Sequence, residues 1–381
     1  MRALAGAQYA ALITLTAIAA ALIAPNPCAS QVVRAPTAAA SGEKDKVAKI
    51  NQWTVGLAAG LPEGTILRFA TEIARNLNDG DELRILPIIT PGAASNITDL
   101  LYLKDMDLAI VHADVFQHVK MQHKIPNIEK QINFISTLQI SVLHVVVRPE
   151  INSFQDLEGK KVSFNTEGAG PSITGPILFQ RLGVHVEPVY INNAIALEKM
   201  KSGEIVALLH TVGKPNDLLR KFKNEYGFKF LAVPFEKFSD LYVPSYLTAE
   251  DYPDLVKPGV TVETIGVQAV LAVRNWPRGS DRFRRVSRFI DYYFDRFDNF
   301  HQPPYHPEWK SINLAAKVPG WTRHSVAEEK LKQLASHAMP PVRIDAQLAR
   351  QQAARVAPND PAEQERLFRK FLEWHAAHTN R

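Results

Sequence analysis

Two apolar runs constrain this chain more than any other feature: "SVLHVVVRP" at 141–149 and "VQAVLAVRN" at 267–275. Both are rich in β-branched residues and nearly free of charge, the signature of strands covered on both faces. Ahead of the first run, strand and helix patterns alternate: "QWTVGLA", "TILRFATEIARNL", "ELRILPIIT", "ASNITDLLYL" and "MDLAIVHAD". Between the two runs the alternation returns as "KKVSFNTEGAG", "SITGPILFQRLG", "VEPVYI", "AIALEKMKSG" and "EIVALLHTVG". In each set a lysine-bearing helix end precedes a buried strand that stops at a histidine, His112 or His210. The pattern predicts two α/β lobes of similar design with mainly parallel strands. The first apolar run leaves lobe one and the second returns to it; two crossings make a hinge, and a hinge between α/β lobes makes a cleft. The expected organisation is lobe one at 50–143 and 271–300, lobe two at 144–270, and a helical C-terminal extension at 301–381.

A length of 381 residues with 46% hydrophobic content supports a core in each lobe. Residues 1–30 obey a different rule. Arg2 stands as a lone charge, "ALITLTAIAAALIA" is apolar, and "PNPCAS" breaks the run, which reads as a secretory signal peptide cleaved after Ser30. The apolar segment is short against the roughly 20 residues of a membrane span, so a retained anchor is the lesser reading. Asn26 and Pro27 before Cys28 do not suit lipidation, and cleavage would remove the only cysteine. Residues 31–49 are rich in small residues and lack periodicity, and are expected to form a disordered spacer. Without a basic run or interleaved aromatics, the net charge of +5 gives no argument for nucleic acid. The aromatic stripe Phe283, Phe289, Tyr293, Phe294 and Phe297 falls on one helix face and reads as core.

Three helix starts follow glycine turns: Gly64-Thr65, the stretch from Gly92 to Asn96, and the stretch from Gly168 to Ser172. Small residues there let backbone N–H groups approach a ligand, and each helix N-terminus carries partial positive charge. Convergent starts can hold a carboxylate without any basic side chain. "GAGPSITG" lacks the Gly-Lys-Ser/Thr ending of a phosphate loop, and its glycines miss the dinucleotide spacing. No metal-binding spacing of His, Glu and Cys occurs, so no cofactor and no metal are expected. His112, His118, His123, His144 and His210 are read as solvated or hydrogen-bonded residues rather than catalytic ones. No nucleophile motif is present, and a binding protein rather than an enzyme is expected; the enzymatic alternative is a periplasmic lyase or transferase on a similar frame.

The series "VGLAAGLPEGT", "TPGAASNITDLLYLKDMDLAIVHADV", "DLEGKKVSFNTEGAGPSITG" and "HTVGKPND" resembles the TAXI family of solute-binding proteins from tripartite ATP-independent periplasmic (TRAP) transporters, over roughly 50–300. The resemblance implies a two-lobed periplasmic-binding-protein (type II, clamshell) fold. It further implies capture of a small carboxylate solute, such as glutamate or 2-oxoglutarate, and delivery to integral membrane subunits driven by an ion gradient. An ABC-type solute receptor is the alternative transport reading. By motif match the contacts fall on Gly64, Thr65, Thr90, Ser95, Asn96, Asp114, Gly170, Ser172, Gly213 and Pro215. The chain departs from the family where Glu63, Ile66 and Leu67 replace a glycine and two tyrosines, and where Glu167 replaces a proline or glycine. Glu63 and Glu167 either balance the dipoles of the helix starts beside them or, facing the cleft, take an amino group or cation, and Lys214 either pairs with a second carboxylate of the solute or covers the surface.

Overall fold

The computed structural model describes residues 38–379 except 124, 338–349, 351–352, 355–356 and 358–359. The expected signal peptide and residues 31–37 of the expected spacer lie outside the described residues. Residues 38–49, the rest of that spacer, are helical instead, within Ala38–Gln52. The chain divides into two compact units, Met1–Val47 and Ala48–Arg381, and the sheet, cores and site below all belong to the second.

Ten strands form that unit's sheet: β1 (Thr54–Ala58), β2 (Arg84–Ile88), β3 (Met106–His112), β4 (Ile132–Val147), β5 (Lys161–Ser163), β6 (Glu187–Val189), β7 (Ala207–Val212), β8 (Lys229–Phe230), β9 (Val243–Thr248) and β10 (Thr261–Arg274). Their order is β2-β1-β3-β10-β4-β7-β5-β6, with β8 added on β4 and β9 on β10. β1, β2 and β3 are parallel to one another, as are β5, β6 and β7. β4 and β10, however, run antiparallel to their neighbours, so the sheet is mixed rather than mainly parallel. The reason is topological: each of these strands travels from one lobe to the other, and only opposed directions let one leave while the other returns.

Both strands are longer than the apolar runs that announced them. β4 pairs with β10 through Ile132–Val142 and with β7 through Val142–Val147. Their side chains divide between four hydrophobic clusters. Ile135, Leu138, Ala269, Leu271 and Val273 pack with the helices Thr65–Leu77 and Asp281–Asp295. On the opposite face, Ile132, Phe134, Val270 and Ala272 pack with Ile97, Leu100 and Phe116. Beyond Ser141 the partners change: Leu143, Val145, Val147, Ile265 and Val267 join Phe164, Leu178 and Phe179, while Val142 and Val146 join Leu197, Met200 and Tyr252. Two clusters on each half of one sheet are two lobes, and the strand residues at the change of partners are the joint between them.

Local chemistry sets the helices. Pro171 opens Pro171–Leu182, where its missing N–H costs nothing, and Gly183 closes it at φ 66°. The side chain of Asn192 accepts from Ala194 N–H to cap Asn193–Ser202. Ser280 caps Asp281–Asp295, which buries Val286, Phe289, Ile290, Tyr293 and Phe294 as the stripe predicted.

The segment after that helix is not a detached extension. Trp309 is fully buried, and its ring stacks on Phe300 at 4.0 Å and lies 4.6 Å from Phe69. Glu72, itself buried, accepts from Trp309 Nε1 at 2.6 Å, from His306 N–H at 3.0 Å and from Arg68 Nε at 3.0 Å. Helices Ser325–His337 and Pro361–Thr379 follow. No described helix is long and apolar enough to cross a membrane.

Candidate functional site: the seam between the lobes

Parallel strands deliver their C-terminal ends, and the helix starts that follow them, to the line where the lobes meet. A cavity of about 40 Å³ lies there. From lobe one it is walled by Gly60, Leu61, the helix start Gly64–Ile66, the turn Pro91–Ala93 and His112; from lobe two by Asn165, Ala169–Pro171 and the strand end His210–Val212. No Asp, Glu, Lys or Arg is among its lining residues.

The lobes are drawn together over this cavity by hydrogen bonds that cross the seam. The N–H groups of Ala94 and Ser95 both donate to Gly168 O, at 3.0 and 3.1 Å. Thr65 Oγ1 accepts from Gly213 N–H at 2.9 Å, and Glu63 O accepts from Asn216 Nδ2 at 2.9 Å. Asp114, fully buried at the start of helix Ala113–Met121, accepts from Thr174 Oγ1 at 2.7 Å and from Tyr242 Oη at 3.0 Å. Burial, and then the Asp114 charge, push the Tyr242 hydroxyl well above its ordinary pKa, which keeps it a donor.

Glycine is demanded where backbone meets backbone across the seam. Gly168 sits at φ +83°, and a Cβ there would stand 2.9 Å from Pro91 Cβ and 3.1 Å from Ser95 Cβ. At Gly170 a Cβ would stand 2.8 Å from His112 Nδ1. The glycine turns of the sequence thus serve close approach of the two lobes as well as helix starts.

The structure distributes the sequence-derived candidates among several situations. Gly64, Thr65 and Gly170 line the cavity. Thr90 and Asn96 are bonded within lobe one: Thr90 Oγ1 donates to Asn96 Oδ1 at 2.6 Å, and Asn96 Nδ2 donates to Ala59 O and Ile110 O. They tie the ends of β1 and β3 together and hold the second helix start in place. The Ser95 and Ser172 hydroxyls each donate to a carbonyl three residues back, Gly92 O and Ala169 O. Asp114 and Gly213 are engaged across the seam as described. Glu167 is exposed.

The remaining candidates mark the outer rim. Lys214 Nζ is 2.8 Å from Asp251 Oδ2, so its charge is already matched within lobe two. Glu63 Oε1 accepts from Asn192 Nδ2 at 2.5 Å. Pro215, Glu63, Gly64 and Thr65 border a second, wider cleft of about 760 Å³, where Arg68, Lys201, Phe222 and Tyr226 also stand. Gly64 and Thr65 are the wall it shares with the seam cavity.

The histidines correct the sequence reading. His144 is hydrogen-bonded as expected, to Val142 O at 2.9 Å and Tyr252 Oη at 2.7 Å. His112 is only half satisfied: Nε2 lies 2.9 Å from Ser141 Oγ, and buried Nδ1 has no partner. His210 has no hydrogen-bond partner on either nitrogen although it is 4% exposed, and Thr211 Oγ1 beside it is likewise unpartnered. Buried polar groups are nearly always bonded, and here unpartnered atoms from both lobes stand around one cavity. The signal was visible in the matching histidine ends of "LAIVHAD" and "LLHTVG"; their orphaned burial was not. Burial depresses both rings, His210 to about 3 and His112 below its ordinary value, so both are neutral. Among the described residues no group of His, Cys, Asp and Glu could hold a metal ion.

No curated protein matches the chain at a significant level. Solved structures that resemble it include the periplasmic binding protein BugD (14% identity, TM-score 0.46, covering 74% of this chain and 95% of that one). A structure described as a periplasmic transporter has 13% identity and TM-score 0.43, covering 74% and 94%. The alkanesulfonate-binding protein SsuA from Xanthomonas axonopodis pv. citri, bound to MOPS, has 10% identity and TM-score 0.38, covering 74% and 83%. The family model described as NMT1-like family matches residues 64–302, well over half of the sequence and most of both lobes, and the chain belongs to the NMT1-like family.

Proposed function

We propose that this protein is a periplasmic solute receptor that closes its two lobes on a small organic anion without reacting with it. The observation that carries the reading is the seam itself: helix starts and orphaned, deeply buried polar atoms from both lobes face one cavity that no charged side chain lines. Helix N-termini stabilise an anion there, and exclusion of water strengthens each contact. The 40 Å³ of the closed seam admits a head group of a few heavy atoms. A larger solute such as glutamate or 2-oxoglutarate extends past Gly64 and Thr65 into the rim cleft. Opening about the β4 and β10 joint admits the solute, and the closed form is what membrane subunits recognise.

The transport partner follows from the motif resemblance, which favours ion-gradient-driven membrane subunits of the TRAP type over an ABC permease. Copurification with each class of membrane subunit separates the two.

Titration calorimetry of the chain from residue 31 onward against acetate, glutamate and 2-oxoglutarate tests the reading. Saturable heat without product is expected. Ser172→Asp, which places a fixed negative charge at the third helix start, should abolish it; turnover of the solute, or unchanged affinity in that variant, refutes the proposed seat.

A further inference from the structure

Resting on the anion-receptor reading, the chemistry of the seam points one step further. His112, His210 and Thr211 are 1%, 4% and 7% exposed, and all three line the cavity. A neutral imidazole has one donor and one acceptor nitrogen. His112 uses Nε2 on Ser141, leaving Nδ1; His210 uses neither. A carboxylate is acceptor only, so against a neutral His210 it can take the single ring N–H. It would also lie buried with no countercharge, since no Lys or Arg lines the cavity and Lys214 is matched by Asp251. Helix starts offset part of that cost, but an unpaired buried anion remains unfavourable.

We propose that the seam takes its anion together with one proton, which moves from solvent to the free ring nitrogen of His210 and makes an imidazolium–carboxylate pair. No covalent bond forms or breaks in the solute; the proton is the only species transferred, and it leaves again when the lobes open. A monoanionic carboxylate thereby becomes part of a neutral complex, whereas a dianion such as sulfate keeps an unmatched charge and is disfavoured. His112 is a positioning partner that offers a single hydrogen bond through Nδ1. The groups acting on the pair are few. Asp114 faces His112, while His210 faces the His144 ring at 6.4 Å, behind which stand Lys214 and Asp251. The low proton affinity that burial gives His210 in the absence of an anion means that the proton arrives with the solute rather than before it.

The test is the pH dependence of affinity for acetate and 2-oxoglutarate, with sulfate as the dianion control, followed by thermal shift and by ring-nitrogen NMR of the histidines. Linkage of one proton to one anion gives on the order of a tenfold loss of affinity per pH unit between pH 6 and 8. The His210 ring should show the imidazolium signature only with acetate present. His210→Asn should flatten the slope, His210→Gln serving if the first variant folds poorly, and His112→Asn should weaken binding while keeping the slope. Acetate binding that is flat with pH in the native protein overturns the proton but leaves the receptor reading intact. A slope that survives in both His210 variants overturns the assignment to His210. Failure of acetate, glutamate and 2-oxoglutarate to bind even at pH 5.5 overturns both.

Discussion

The Asp114 carboxylate of lobe one accepts the Thr174 hydroxyl of lobe two at 2.7 Å, inside the protein and out of reach of solvent. Tyr242 donates to the same oxygen, so one acid holds two groups of the opposite lobe. Replacing it by alanine leaves the buried Tyr242 hydroxyl without its acceptor and the Thr174 hydroxyl with only Gly170 O at 3.2 Å. Asp114→Ala should cost about 2–3 kcal/mol and raise the radius of gyration in solution scattering. Thr174→Val, which keeps the shape, should cost only about 1 kcal/mol. Equal compactness of Asp114→Ala and native protein would show that this contact does not govern closure.

Gly168 is the second latch. Gly168→Ala forces a side chain into a left-handed backbone and against Pro91 and Ser95, a strain of about 1 kcal/mol before any steric term. The expected outcome is faster hydrogen exchange at the Ala94 and Ser95 amides, whose acceptor is the Gly168 carbonyl. Unchanged protection at those amides would contradict the geometry of the seam.

Glu72 fastens the chain beyond residue 300 to helix Thr65–Leu77 through Trp309 Nε1 and His306 N–H. Its removal orphans two buried donors. Urea denaturation should show Glu72→Ala destabilised by about 2–4 kcal/mol, with Glu72→Gln intermediate. Trp309→Ala, which also opens a void beside Phe69 and Phe300, should lose about 3–5 kcal/mol.

Stability should depend on pH through two opposed sets of groups. Burial pushes the Glu308 carboxyl up to about 7; Lys214 counteracts the rise and Asp251 adds to it. Its folded value lies above the ordinary 4.5, so its contribution is present below that value and is lost as pH rises through about 7. His144 and His324, lowered to about 4 by burial, and His210, lowered to about 3, act in the other sense. Their contribution is present above the ordinary 6.5 and disappears as pH falls toward 4. Native stability should therefore climb between pH 4 and 6.5, where three histidines outweigh one glutamate. Glu308→Gln should gain on the native protein as pH rises through 7; parallel curves for the two proteins from pH 5 to 8 would contradict the burial of that carboxyl.

Much of the fold was legible in the sequence because it rests on local patterns. Short, continuous apolar runs marked the strands, and the stripe from Phe283 to Phe297 marked a buried helix face. Pro171 and Gly183 fixed helix ends by their backbone preferences, and Asn192 by its capping side chain. The apolar runs at 141–149 and 267–275 fall in β4 and β10, the adjacent antiparallel strands that join the two halves of the sheet. Their first halves, beginning at Ile132 and Thr261, carry polar residues such as Asn133, Ser136 and Glu263 and gave no comparable signal.

What the sequence determined by itself is the set of pieces: two alternating α/β halves, two linking strands, and small residues at the helix starts. The tertiary structure alone decided which polar atoms are saturated. Thr90 and Asn96 found partners inside lobe one, Lys214 found Asp251, and His210 found none. The reason is physical: strand and helix propensities act between neighbours along the chain. Whether a side chain loses its water, and what replaces it, depends on backbone brought against it from more than a hundred residues away, as Gly213 is brought against Thr65.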